Sequence, residues 1–397
     1  MKKINRENII FALFILYAGL LVTGYLAGIA VILLTILFFI DQKDRIKNKL
    51  KKAFTNPLTI LLTTYYLLHF FGYLYSQNKS LALTDIERKI GLLLLPVIIS
   101  GENISKENIK KVLLFFKNAV ILVLSILLIY HFLKYRKGIG EFAHFGYSDL
   151  GISFFYYSVF IVFSILILDY FKPKHYLFQI VYLLIFLLLI SNRAAILFLF
   201  FYFIFWKKSF KYFNNPFFIG ISILIITLFI TTDNLFKNKL NILYNSTDFD
   251  IEILQTKNSI STTHNSLEQR IYLWYLAEKL IKQKPLLGYG TGDYKAALYQ
   301  MYDQYNFKAA KRNKYNTHNQ YIQEFLKFGI LGGIYFIFMN MYILFISRKK
   351  PLLLLSALLI IWGSIFESYW FRHHGILFIA FMYPLLYKYY ENQKNNL

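Results

Sequence analysis

Cysteine is absent from the 397 residues, which excludes a disulfide framework and a thiolate metal site and leaves the redox compartment unread. Acidic residues are few: 21 Asp and Glu stand against 44 Lys and Arg, a formal net charge of +23. A surplus of that size raises nucleic acid as a partner, yet the basic residues sit between apolar runs and form no basic block. No nucleic acid is therefore expected, and the lysines read as cytoplasmic flanks of membrane spans. Arginine is scarce too, at 9 against 35 lysines, so each one is informative, because a planar guanidinium fork suits phosphate. Internal repeats and low-complexity linkers are also missing. What is abundant is apolar surface: 57% of residues are hydrophobic, 20% aromatic, and mean hydropathy is +0.45. These values exclude an ordinary soluble domain and give an all-α integral membrane protein.

The N-terminus, MKKINRENIIFALFILYAGLL, has a basic start but no small-residue cleavage site, so it reads as an uncleaved first span. Residues 8–40 form one apolar run with basic flanks on both sides (Lys2, Lys3, Arg6; Lys43 to Lys52), so the run crosses twice and the N-terminus is inside. Further spans are predicted at 58–75, 90–100, 112–133, 152–169, 176–191, 194–206, 217–231, 323–346, 352–366 and 375–388, which makes about 12 transmembrane helices. Alternation puts residues 101–111, Lys172 and Lys174, Lys207, Lys208 and Lys211, Arg348 to Lys350 and the tail inside, and every one of these segments is basic. The same alternation exports residues 232–322, too long for a mere connection. The organisation is thus a membrane domain over 1–231 with about nine spans, a large periplasmic loop with helices over 232–322, and a membrane domain over 323–397 with about three spans.

This topology places Arg88, Arg136, Arg193, Arg270, Arg312 and Arg372 on the outer face. In a lysine-rich chain that bias points to an anionic ligand there; scattered solvated charge is the alternative for Arg88, Arg136 and Arg312. Arg193 stands out. The apolar halves around Ser191-Asn192-Arg193 are short for a core of ~30 Å at ~1.5 Å per residue, so the turn is expected in a recess, where an ionisable residue is functional by default. A snorkelling hairpin-tip arginine is the competing reading. In the large loop, SLEQRIYLWYLAEKLIKQKP reads as a helix with Ser266 and Gln269 as capping box and Pro285 as stop. Arg270, Trp274, Ala277 and Ile281 share a stripe, so Arg270 heads its inward face. Next, LLGYGTGDY holds Gly288, Gly290 and Gly292. It lacks the βαβ context of a dinucleotide fingerprint, but its backbone N–H groups can face a phosphate; a plain turn is the other reading.

The stretch YNTHNQYIQEFLKFGILGG joins a polar half to a membrane-grade helix. Thr317 and Gln320 match a capping box, which starts a helix at His318 with its positive end outward. That end disfavours imidazolium, so a neutral His318 becomes a general-base candidate beside phosphate-binding arginines. Taken alone, an interfacial histidine is more often structural. Asp248 and Asp250 form a D-x-D that suits a divalent ion with a nucleotide sugar, but on an outer loop they read as solvated. His373, His374 and Glu367 lack a third ligand at recognisable spacing, so zinc is not expected.

The recessed SNRAA turn, the loop with R-x3-W and P-L-L-G-x-G, the THNQYIQEFLKFGILGG helix and the ESYWFRHHG segment (Glu367, Ser368, Arg372, Gly375) together resemble the O-antigen ligase and polymerase superfamily, over roughly residues 60–390. The resemblance implies a polytopic glycosyltransferase of GT-C-like architecture, in the bacterial inner membrane with its site facing the periplasm. The donor would be an undecaprenyl-diphosphate-linked glycan, the acceptor lipid A core or another glycan, with membrane lipid around both. It implies His318 as the catalytic base and Arg193 and Arg270 as diphosphate-binding. Gly288, Gly290, Asn319, Tyr321 and Arg372 complete the expected substrate-binding set, and neither metal nor cofactor is expected. Asn192 stands where many members have Gly or Ser. A ligase that caps lipid A core is the favoured reading, a polymerase joining lipid-linked repeat units the alternative. A transporter or flippase would show two-fold repeats and broken helices, and would not need so long an outer loop.

Overall fold

The computed structural model describes residues 6–24, 26–135, 152–206, 241, 244–260 and 265–394, and among them all regular structure is helical. In chain order the helices are α1 (Arg6–Thr23), α2 (Ala27–Phe39), α3 (Lys43–Phe54), α4 (Pro57–Tyr75), α5 (Lys79–Lys89), α6 (Gly91–Gly101), α7 (Lys106–Tyr135), α8 (Phe154–Phe171), α9 (Tyr176–Ile190), α10 (Arg193–Phe201, continued by a π turn Tyr202–Trp206), α11 (Ile251–Ile260), α12 (Ser266–Gln283), α13 (Gly290–Gln304), α14 (Lys308–Arg312), α15 (Gln320–Ser347), α16 (Pro351–Phe366) and α17 (His373–Lys394).

Five of them, α1, α4, α7, α8 and α15, are long and apolar enough to cross a membrane, and α2, α9, α10 with its π turn and α16 are apolar but shorter. The span predicted at 90–100 is the 11-residue α6, only ~17 Å long at ~1.5 Å per residue. Nine of its residues are buried, packed against α3, α4 and α17. Enclosed by protein, it need not meet lipid at all. The span predicted at 217–231 lies outside the described residues, as does Arg136.

Asparagine starts many of these helices. Asn56, Asn78, Asn192, Asn265 and Asn319 each accept hydrogen bonds from first-turn amides, the role for which a short side-chain carbonyl is suited. Two of them correct the sequence-based helix starts. The capping box of α12 is Asn265 with Glu268, not Ser266 with Gln269: asparagine caps as well as serine, and its partner glutamate carries a charge toward the helix end. The cap of α15 is Asn319, whose Oδ1 accepts from the Ile322 N–H. Thr317 instead donates its hydroxyl to the Asn319 carbonyl at 2.8 Å.

The two polar ends of the bundle are tied by different means. At one, Arg6 meets Glu102 at 2.6 Å and the Leu37 carbonyl at 2.6 Å, Lys49 bridges Asp41 and Glu102, and the Lys388 ammonium donates to the carbonyls of Ile99, Ser100 and Glu102. At the other, the helices of the large loop dock on the membrane helices. Both oxygens of Asp293 accept from the Gln77 and Asn78 amides, which fixes α13 to the α4–α5 junction. A second clasp lies at Gly329 (φ 62°, ψ −157°), where α15 is broken. The Pro285–Tyr289 turn enters this break: Ile330 N–H donates to the Pro285 carbonyl at 2.7 Å and Tyr289 N–H to the Leu326 carbonyl at 3.0 Å. A Cβ on Gly288 would lie 2.6 Å from the Lys327 carbonyl oxygen, and one on Gly329 2.2 Å from that of Leu286.

Candidate functional site

The turn before α15 is held from three sides. Trp274 of α12 donates its indole N–H to the Thr317 carbonyl at 2.9 Å, Tyr302 of α13 donates to the Tyr315 carbonyl at 3.2 Å, and Asn316 Oδ1 accepts from the His318 amide at 2.9 Å. These contacts hold His318 at φ 45°, a left-handed conformation that a non-glycine residue keeps only where its surroundings over-determine it. His318 therefore precedes α15, with Asn319 between it and the first helical residue. A side chain, not the helix end, is the nearest polar group to its ring. Its Nδ1 lies 3.0 Å from Oε2 of Glu367, the residue that ends α16.

Burial alone would push the Glu367 carboxyl up, but the hydrogen bond and charge of His318, the Ser368 N–H and the charge of Arg270 outweigh it and hold it below the ordinary carboxylate range. An ionised carboxylate only accepts, so Nδ1 carries the hydrogen, and in the neutral imidazole Nε2 is the acceptor nitrogen. The Tyr315 ring packs edge-on to the imidazole, centroids 5.4 Å apart.

Arg270 adjoins this pair, and Arg193 adjoins Arg270. Burial lowers the Arg270 pKa first; Glu367 opposes that, and neighbouring Arg193 adds to it. Arg193 is the first residue of α10, whose cap Asn192 is buried and also donates to Ser158 Oγ at 2.6 Å. Trp362 of α16 donates to the Ala194 carbonyl at 2.8 Å, and Arg193 Nη2 donates to Ser266 Oγ at 3.0 Å. Ser266 thus serves the arginine in place of the helix cap. Arg270 thus faces the Glu367 carboxylate, with Arg193 beside it.

Other expected site residues go elsewhere. Tyr321 donates to the Ile361 carbonyl at 3.3 Å and packs on Phe336, and Asn319 is the helix cap. Arg372 is exposed, near Tyr156. The glycine run makes packing contacts: the amides of Gly288, Tyr289 and Gly292 donate to the Lys284 carbonyl, the Leu326 carbonyl and Ser76 Oγ, and a Cβ on Gly290 would lie 2.6 Å from Ser76 Oγ. Asp248 pairs with Lys257, and Asp250 Oδ1 accepts from the Glu252 amide. Among the described residues no group of three His, Asp or Glu is placed to hold a metal ion.

The residue that sequence reasoning missed is Glu367 as the partner of His318. An acid closing an apolar span was its only local signal, and its partner is 49 residues away. No curated protein matches the chain. A family model described as O-antigen ligase matches residues 178–337, a stretch that contains Arg193, Arg270 and His318. This match supports assigning the chain to the O-antigen ligase superfamily.

Proposed function

We propose that the chain is an O-antigen ligase-type glycosyltransferase, which moves a glycan from undecaprenyl diphosphate to lipid A core at the periplasmic face of the inner membrane. The family match supports ligase- or polymerase-type function in general. The observation that carries the transfer chemistry, common to ligase and polymerase, is the His318–Glu367 pair at 3.0 Å beside Arg270. With Nδ1–H engaged by Glu367, Nε2 takes the proton of an acceptor hydroxyl as its oxygen attacks the anomeric carbon. The anomeric C–O bond breaks and its electron pair leaves on the diphosphate. Arg193 and Arg270 stabilise that charge through charge-assisted hydrogen bonds. Attack opposite the leaving group inverts the anomeric centre, and two guanidiniums do the work a divalent ion would otherwise do.

Lipopolysaccharide from a deletion strain tests the proposal. Loss of a ligase leaves bare core while lipid-linked polymer accumulates. Loss of a polymerase leaves core capped by a single repeat unit, which would move the assignment to that alternative. His318→Ala, inserted at normal level, should reproduce the deletion, since loss of a general base costs about 10²–10⁴-fold in rate. Unchanged surface glycan would remove His318 from the chemistry.

A further inference from the structure

The loop that carries Glu367 continues to Phe371, where four cations gather. Lys295 Nζ lies 4.7 Å, Arg88 Cζ 5.8 Å, Lys327 Nζ 5.9 Å and Lys89 Nζ 6.0 Å from the centroid of that ring. Two of them are compensated. Lys89 and Lys327 are fully buried and share Asp85, at 2.8 and 3.3 Å. The other nearby acid, buried Glu324, accepts from Gln320 at 2.6 Å. Arg88 and Lys295 are only partly buried and, among the described residues, neither forms an ion pair. Partly desolvated cations without a direct ion pair are costly unless an anion completes them.

We propose that Arg88 and Lys295 form a second anion site, which holds a phosphate or carboxylate carried by the acceptor. This rests on the transfer reading above. The site belongs to different elements from the proposed donor arginines: Arg88 ends α5 and Lys295 is on α13, whereas Arg193 and Arg270 are on α10 and α12. The four steps from Glu367 to Phe371 span at most about 14 Å, so an acceptor anchored there can bring a hydroxyl of an adjoining sugar to His318. Inversion requires the acceptor to approach opposite the diphosphate, which is served by a separate cation site. Burial first, then Lys327 and Arg88, pushes the Lys295 ammonium down to about 8 against the pull of Asp85, so an arriving anion has a group to recharge.

That property gives a direct readout. Purified full-length protein in a neutral detergent is acetylated at pH 8 with an N-hydroxysuccinimide ester, and modification of Lys295 is followed by mass spectrometry. Glucose 6-phosphate should slow Lys295 labelling at least threefold and glucose should not; protection should be lost in Arg88→Gln, kept in Arg88→Lys, and kept in Arg193→Gln and Arg270→Gln. No protection, or protection lost with Arg193→Gln, would overturn the site. Protection by phosphatidylglycerol vesicles without added sugar phosphate would assign the site to a lipid headgroup and overturn the acceptor claim. In transfer assays Arg88→Gln should raise KM at least tenfold for phosphorylated acceptor, with kcat and donor KM unchanged and no effect on dephosphorylated acceptor. Equal KM for phosphorylated acceptor in wild type and Arg88→Gln would overturn it. The labelling result stands even for a chain that transfers nothing, so failure of the transfer reading and failure of the anion site are separable.

Discussion

At the scale of single residues, the contrast between arginine and lysine was legible in composition alone, and it led to Arg270, which acts on the partner carboxylate of His318, and to Arg193 beside it. Arg193→Lys and Arg270→Lys should both be severely impaired in transfer from purified lipid-linked donor, because an ammonium keeps the charge and loses the bidentate fork. Near wild-type rates in either variant would reduce that residue to a point charge. Glu367 was named in the sequence but not in its role, since nothing local records that a side chain 49 residues away turns toward it. Glu367→Gln replaces the acceptor-only carboxylate by an amide that can also donate to the ring, so it no longer fixes the His318 tautomer and should lower kcat by about 10²–10⁴-fold. A linked effect on stability has a definite sign. The Glu367 carboxyl is held below its ordinary value in the folded chain, so its contribution is present above the unfolded-state carboxylate pKa and is lost as pH falls through the lower folded value. Thermal unfolding of wild type and Glu367→Gln should therefore differ at neutral pH and converge below the carboxylate range; a difference that grew on acidification would contradict the pairing.

At the scale of elements, periodicity and caps found α12 and α15 but misplaced the first turn of each, because serine, threonine and asparagine compete for the same capping task and neighbouring candidates were present. The glycines were harder. Their partners are Ser76, Gly72 and the backbone of Lys327, so the need for glycine comes from helices far off in sequence. Gly329→Ala places a Cβ 2.2 Å from the Leu286 carbonyl oxygen at a φ of 62°, and should cost about 1–3 kcal/mol or more. A fall in the thermal midpoint of the purified protein, with Gly28→Ala as the control in open space, checks this. The buried ion cluster gives a second test. Asp85→Asn leaves Lys89 and Lys327 buried without their shared acid, which should cost about 3–5 kcal/mol and be seen as lost accumulation in the membrane. Replacing Lys89 by Met in the same chain should restore part of it.

At the scale of the whole molecule, the charge alternation read from the sequence grouped segments that do pack together: the N-terminus with residues 37–49 and Glu102, and the large loop with the ends of α4, α9 and α16. Which group faces which compartment is open to chemistry, because the chain has no cysteine of its own. Glu278→Cys on exposed α12 should react with an impermeant maleimide once the outer membrane is permeabilised, and Lys47→Cys on α3 only after the inner membrane is breached. The reverse pattern would invert the topology. Hydropathy located the long spans, but it could not distinguish α6, an apolar segment enclosed by other helices, from a lipid-exposed span of the same composition.

The break in α15 bears on how the chain is made. Leu326 and Ile330 are four residues apart, so until residues 285–289 dock, the Ile330 amide and the Leu326 carbonyl can bond each other as an ordinary helical pair, and docking exchanges that bond for two to the turn. The ribosome delivers the clasp about forty residues before the break it fills. The turn is thus already made when this helix is synthesised, and its docking converts a straight helix into the broken one as a late step of maturation.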